Sequence, residues 1–435
     1  MNNSQERSTG SAKDFARRLL SELVSGGDGD PALLKALVDR ATCSDPAIAA
    51  EASRDFFIEL IEPLCDAFDR KSTAQYVRVF AQAVEQILPS YRAHSLMERY
   101  ARIRDPRCFA GSPRRVCVLS RVTLGADIAV SSAVIDAAKR RFPGAEICFV
   151  GPAKNAELFA ADKRVIALVA PYSRSGLLQD RLEASVQLRK FVDDPDTLVI
   201  DPDSRLSQLG LIPVCDEDRY LFFESRTYGG ASNSTLPVLT ARWLQETFGI
   251  GDARPFLAPE PQPHAADITV SLGVGGNSQK RIVGSFESRA VAALLATGKR
   301  VMIDRGMGGE ETERVDRIAN LLGNPAQLAL HDGSFASFAS HILQSRLYFG
   351  YDSAGQHVAA AAAVPLVTVF AGFATERTYE RWKPSGRGPI WTIKVSDEDR
   401  HSAESRALSA ISEAVEAMPS HPGHEAAAPA RRVSP

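Results

Sequence analysis

The segment ILQSRLYFGYDSAGQHVAAAAAVPLVTVFAG, residues 342–372, decides the fold. Leu347, Phe349 and their neighbours form a short apolar run that predicts a buried strand; the polar and small residues from Tyr351 to His357 interrupt it, and an Ala-rich helix follows. Val364 to Phe370 supplies a second strand, ended by Gly372. Strand, helix and strand in this order make a βαβ unit with parallel strands. Asp352 and Ser353 fall where the first strand hands over to the helix. Backbone N–H groups and the helix dipole favour a bound anion at such a point, and His357, one turn on, faces the same mouth. Asp or Ser ahead of a helix is ordinarily only an N-cap, and a His in an Ala-rich helix is ordinarily a packed or surface residue. Partners elsewhere in the chain must decide.

Working outward, the same alternation fills most of the chain. Val116 to Leu119 predicts a buried strand, RVTLGAD a loop, and Ile128 to Phe142 a helix closed by Pro143-Gly144. Strands follow at Ile147 to Pro152, Val165 to Val169 and Thr197 to Asp201, with helices between them. Residues 253–266, ARPFLAPEPQPHAA, hold four prolines and no periodicity, which predicts a linker. The alternation then restarts with strands at Ile268 to Leu272, Arg300 to Asp304 and Leu328 to Leu330, leading into the opening βαβ unit. Ahead of all this, Phe15, Leu19, Leu20 and Leu23, then Leu33, Leu34, Leu37 and Val38, repeat at helical spacing, and Asp30-Pro31 and Asp45-Pro46 read as helix starts.

The expected layout is therefore a disordered tail (1–12), a helical N-terminal region (13–110), a first Rossmann-like domain (111–252), a linker (253–266), a second Rossmann-like domain (267–417) and a second disordered tail (418–435). The fold class is α/β, two doubly wound domains facing a cleft. The helical region carries no recognisable chemistry, and packing or self-association is its default role.

Composition narrows the function. With 435 residues, 44% apolar and 24% charged, the chain can build large cores, and its formal charge of −2 gives no basic footprint for nucleic acid. Six cysteines scattered singly indicate neither a zinc site nor a disulfide framework, which suits a reducing cytoplasm. No run approaches the roughly 20 apolar residues that span a bilayer. Peripheral contact with a membrane surface is compatible with this composition.

Ligands of parallel sheets bind beyond the carboxyl ends of the strands, so those loops carry the chemistry. Arg121 to Asp127 delivers a carboxylate at a helix start, either an N-cap or a base for an attacking hydroxyl. Gly273 to Arg281 lets a phosphate approach backbone N–H groups, with Lys280 as a point charge; it is neither a dinucleotide fingerprint nor a Walker A motif. Asp304 to Glu311 is a Gly-rich turn whose acids suit a ribose hydroxyl or simply the helix dipole. On the acceptor side, Arg205 and Gln208 follow a strong strand, either as contacts for an anionic or sugar acceptor or as part of a surface loop with its own internal hydrogen bonds, and Tyr228-Gly229-Gly230 reads as a mobile lid.

Together, the strand followed by Leu-Gly-Ala-Asp, the loop ending in Lys280-Arg281, the Gly-Gly-Glu-Glu turn and the late DSAGQH before VPLVTVFAG resemble glycosyltransferase family nine, the heptosyltransferases, over residues 114–395. The resemblance implies a GT-B architecture and an inverting, metal-independent transfer of a heptose-like sugar from a nucleotide diphosphate sugar, ADP-heptose in the best-known members, to a glycan or glycolipid hydroxyl, as in lipopolysaccharide biosynthesis. It implies no cofactor. Asp127 matches the catalytic base, Lys280 the diphosphate-binding lysine, and Glu310 or Glu311 the carboxylate near the ribose. Asp352 and His357 match residues touching the donor sugar, with the backbone of Ser353 and Ala354 beside the diphosphate. Two departures stand out. The family places Asp directly after Gly, whereas Ala126 is inserted here, and its D-[ST]-G becomes Asp352-Ser353-Ala354 with the glycine one place later. The alternative is a nucleotide-sugar-binding or scaffold protein that keeps the fold without the reaction; a nucleotide-sugar epimerase or hydrolase is a third reading.

Overall fold

The computed structural model describes residues 10–419 apart from 171, 173, 174, 276, 307 and 397. Most of both expected tails lies outside these residues; Ser11, inside them, caps the first helix in a reciprocal capping box with Asp14. The chain divides into two compact units, one comprising the chain through Ala258 together with Phe373–Lys383, the other Pro259–Gly372 with the residues from Pro384 onward.

In the first unit, helices α1 (Ala12–Ser25), α2 (Pro31–Ala41) and α3 (Pro46–Asp55) start where the Asp-Pro pairs predict: Asp30 and Asp45 cap, and proline takes the first helical position. A π turn (Phe56–Ile61) joins α3 to α4 (Glu62–Asp66), and α5 (Arg70–Ile87) and α6 (Ala93–Ile103) complete the helical region. Five parallel strands follow: β1 (Arg115–Leu119), β2 (Glu146–Gly151), β3 (Val165–Val169), β4 (Thr197–Asp201) and β5 (Tyr220–Phe222), in the order β3-β2-β1-β4-β5. The helices between them are α7 (Leu124–Ala126) with α8 (Ser132–Arg141), α9 (Ala153–Ala156) and α10 (Leu178–Val192), and α11 (Leu236–Phe248) follows β5.

The helical region is not a separate domain. Its buried residues, Phe56, Phe80 and Tyr76 among them, share one core with Cys117, Val150, Val199 and Phe222 of the sheet. Polar contacts seal the junction: the Tyr76 hydroxyl donates to the Gln208 carbonyl at 2.6 Å and Arg99 to the Gly210 carbonyl at 2.8 Å. Packing against the first sheet therefore buries much of the apolar surface read as a packing or self-association surface, while Val24, Ile48 and Ile58 stay exposed.

The second unit holds six parallel strands in the order β11-β10-β9-β6-β7-β8. These are β6 (Ile268–Ser271), β7 (Val301–Asp304), β8 (Leu328–His331), β9 (Leu347–Tyr351), β10 (Leu366–Ala371) and β11 (Ile390–Val395), with helices α12 (Phe286–Leu295), α13 (Glu310–Leu321), α14 (Phe335–Gln344), α15 (Ala354–Ala361) and α17 (Arg400–Glu416). β9, α15 and β10 are the βαβ unit of the opening segment, with Tyr348 paired to Leu366. Helix α16 (Glu376–Trp382) belongs to the first unit. There Arg377 donates to the Phe68 carbonyl, and buried Arg381 to the carbonyls of Ser234, Tyr228 and Gly230. Those bonds hold the carbonyls of Tyr228 and Gly230, in the stretch read as a lid, and of Ser234 after it. Among the described residues no helix is long and apolar enough to cross a membrane.

Candidate active site

The opening segment, with the loop after β6, builds a polar cluster in the second unit. Asp352 leaves the end of β9, and Lys280 comes from the loop after β6, the strand beside it. The Lys280 ammonium lies 2.6 Å from Asp352 Oδ2 and 3.3 Å from its carbonyl oxygen. Gln356 donates to Asp352 Oδ1 at 2.6 Å and accepts from the Thr368 hydroxyl at 2.9 Å, so strand β10 fixes the helix residue that fixes the carboxylate. His357 is buried beside this group. Burial holds its imidazole down at about 4; Asp352 opposes the shift and Lys280 adds to it. His357 is therefore neutral near pH 7.

Ser353 occupies the N-cap position of α15, and among the described residues no side chain caps that helix. The plain capping role of Asp352 and Ser353 is thus not what the structure shows: Asp352 is turned to Lys280, and the amides that begin at Ala354 point to the mouth that the dipole makes favourable for an anion. The shifted glycine has a packing reason. A Cβ at Gly355 would stand 2.3 Å from the Tyr348 hydroxyl, so the helix start sits directly on that ring.

The two glutamates of the Gly-Gly-Glu-Glu turn separate. Glu310 is exposed, 3.6 Å from Arg281. Glu311 is half-buried, and burial, with Asp304 beside it, raises its pKa while Arg314 opposes. A Cβ at Gly273 would lie 2.2 Å from Glu311 Oε1, so the glycine after β6 makes the space that the carboxylate fills. Glu311 thereby stands between the loops that follow β6 and β7.

In the first unit the picture differs from the expectation. Asp127 is fully buried. Its oxygens accept from Ser120 Oγ at 2.6 Å, the Arg121 amide at 2.7 Å, Ser131 Oγ at 2.6 Å and Asn155 Nδ2 at 2.5 Å. Burial raises its pKa while these four donors oppose the shift. The backbone reason is a π turn at Asp127–Ser131, a wide turn that takes up one extra residue in a helix. The carboxylate is turned inward, where its four donors tie it to the β1–α7 loop, the following helix and Asn155.

Arg205 and Gln208 have partners within the first unit. Gln208, in a left-handed conformation, is buried and donates to Ser185 Oγ and the Arg181 carbonyl. Arg205 pairs with Glu62 of the helical region at 3.6 Å. The other carboxylates beyond these strands are equally enclosed: Asp201 by Tyr220, Ser207 and the Ser204 amide, Asp203 by Arg226 and Ser225. Gln356, Thr368 and Tyr348 were not singled out by the sequence, because a polar residue in an Ala-rich helix and a Thr in an apolar strand carry no positional signal of their own.

Two doubly wound parallel sheets, each with its helices, define the GT-B fold. Solved structures share it. The family 9 glycosyltransferase from Veillonella parvula superposes with a TM-score of 0.53 at 12% identity, covering 71% of this chain and 99% of that one. The E. coli heptosyltransferase WaaC with ADP-2-deoxy-2-fluoro heptose gives 0.51 at 15%, over 70% and 99%. E. coli ADP-heptose lipopolysaccharide heptosyltransferase II gives 0.50 at 16%, over 70% and 99%. At these identities the likeness is one of fold. No family model and no curated protein matches the chain.

Proposed function

We propose that the chain is an inverting glycosyltransferase that moves a heptose-like sugar from a nucleotide diphosphate sugar, ADP-heptose among the candidates, to a glycan or glycolipid hydroxyl. The observation that carries this reading is the Lys280–Asp352–Gln356 cluster beside His357 and the start of α15. A leaving diphosphate needs compensating charge that is already in place. Lys280 supplies a full positive charge, and the first amides of α15, from Ala354 on, supply oriented donors. Asp352 and neutral His357 are then left to bind sugar hydroxyls, and Glu311 the ribose. In the reaction the acceptor oxygen bonds to the anomeric carbon and gives up its proton to water as the bond from that carbon to the diphosphate oxygen breaks, and the nucleotide diphosphate departs with the electron pair. Because Lys280 and the helix amides neutralise that charge, we propose that turnover needs no divalent ion. The proposed setting is the cytoplasm, in peripheral contact with the inner membrane where a glycolipid acceptor resides.

A second reading is favoured by Asp127. A base must reach the proton it removes, and this carboxylate has no open face, nor do Asp201 and Asp203. We therefore assign Asp127 to positioning the β1–α7 loop. A nucleotide-sugar-binding protein without transfer activity would have this arrangement. Incubating the protein with ADP-heptose and lipid-linked glycan acceptors, with EDTA present, separates the readings: transfer with inversion supports the first, whereas calorimetric binding with no product on any acceptor supports the second.

A further inference from the structure

Among the described residues, Val283 and Leu321 are the most exposed large apolar side chains, at 76% and 73%. Both border one pocket of about 350 Å³ in the second unit: Leu321 lines it, and Val283 precedes Gly284, which also lines it. The pocket lies between the start of α12 and the later turns of α13.

Three arginines share this pocket. Arg281, from the loop before α12, donates to the two oxygens of buried Glu287 at 3.0 and 3.2 Å. Buried Arg314 sets its Nε 3.3 Å from Glu287 Oε2 and donates to the Leu272 carbonyl at 2.7 Å. Arg317 is exposed, and its side chain makes no hydrogen bond or ion pair among the described residues. One buried carboxylate therefore serves two guanidinium groups and leaves the third unmatched. Glu310, 3.6 Å from Arg281, is exposed, and water screens it. Arg314, Arg317 and Leu321 stand at i, i+3 and i+7, so one face of α13 carries both the charge and the apolar rim.

Helix α12 adds to the same field. No side chain caps it at Ser285, and Gly284, Ser285 and Ser288 line the pocket. The amides of its first turn and the helix dipole favour an anion there. Planar guanidinium groups match phosphate oxygens. A free phosphate would make no use of two bare apolar side chains at the rim; a phosphate carried on acyl chains would, with its charge in the pocket and its hydrocarbon against Val283 and Leu321. The formal charge of −2 draws the chain as a whole to no anionic surface, so a local patch must do so. We propose that this pocket takes the phosphate of an anionic membrane lipid, with Val283 and Leu321 entering the acyl boundary. The site uses none of Lys280, Asp352 and His357, and it gives the membrane contact proposed above a place on the second unit.

The test is cosedimentation of the full chain, at physiological ionic strength, with vesicles of phosphatidylcholine alone and of phosphatidylcholine and phosphatidylglycerol in equal parts. Wild type is compared with Arg317→Ala, Leu321→Ser and Lys190→Ala, Lys190 being an exposed cation of α10 in the first unit. The expected result is retention on the mixed vesicles only, about fivefold weaker in R317A, weaker also in L321S and unchanged in K190A. All three side chains are exposed, so the variants keep the melting temperature of wild type. Equal retention of wild type on both kinds of vesicle, or retention on neither, overturns the proposal. So does an equal loss in R317A and K190A, which would mark diffuse charge and no pocket. Full release by excess inorganic phosphate, with L321S behaving as wild type, would assign the pocket to free phosphate and overturn the lipid. No nucleotide is present, so each of these failures leaves the Lys280 site standing.

Discussion

The ammonium of Lys280 stands 2.6 Å from the carboxylate of Asp352, two residues 72 positions apart that adjacent strand ends bring together. The pair neutralises the mouth of α15 before any ligand arrives, and an entering diphosphate must share Lys280 with Asp352. Replacing Asp352 by Asn keeps the size and removes the repulsion, and its single amide oxygen can accept from only one of the two donors, Lys280 or Gln356, that the carboxylate now serves. D352N is therefore expected to bind ADP at least as tightly as wild type, yet to lose the extra affinity that the sugar of ADP-heptose provides. Titrations with both ligands check this; weaker ADP binding in D352N would show that Asp352 supports the diphosphate itself.

Asp127→Asn tests the inward carboxylate. An asparagine Nδ2 would face hydroxyl or amide donors now satisfied by oxygen, and leaving such buried groups unpaired costs roughly 1–3 kcal/mol. Denaturant unfolding should show that loss in the transition belonging to the first unit. Wild-type stability with turnover abolished would mean instead that the carboxylate acts on the acceptor.

His357 sets a pH dependence. Its folded pKa of about 4 lies below the ordinary value of 6.5, so the unfolded chain binds the extra proton first as pH falls. The group's contribution to stability is complete above about pH 6.5 and is lost as the pH drops toward 4, on the order of 3 kcal/mol in all. Asp201, raised to about 6 chiefly by burial, acts in the opposite sense, so the difference between wild type and His357→Gln isolates the histidine. The gap between their stability curves should change across pH 6.5 to 4; parallel curves would contradict the burial of a neutral imidazole.

Gly273→Ala probes Glu311. The new methyl would overlap Glu311 Oε1, the far end of a flexible chain, so the glutamate swings aside and the fold survives. The expected result is an unchanged melting temperature with weaker binding of ADP and little effect on inorganic pyrophosphate, which lacks the ribose. Equal loss for both ligands would place Glu311 elsewhere than at the ribose.

The second unit was legible because its signals are positional. A buried strand followed by polar residues and an Ala-rich helix fixes where Asp352 must be, and the loop after the neighbouring strand fixes Lys280. Rotation about a helix is not written so plainly. The one-residue insertion at Ala126 was visible, but only the structure shows Asp127 turned inward to its four donors, and only the left-handed backbone of Gln208 shows that its amide serves Ser185 and Arg181. Strand β5 has three residues, too few for a period of two to register. Helix α16 returns to the first unit after 114 residues in the second, from Pro259 to Gly372, a long-range choice that local pattern does not encode.

The central claim is that the edge of the second sheet holds a nucleoside diphosphate through Lys280. Calorimetric titration of ADP into wild type and Lys280→Ala measures it directly. The account predicts saturable one-to-one binding by wild type and at least a tenfold weaker affinity in K280A, with the variant's melting temperature close to that of wild type. Equal affinity in the two proteins would contradict it.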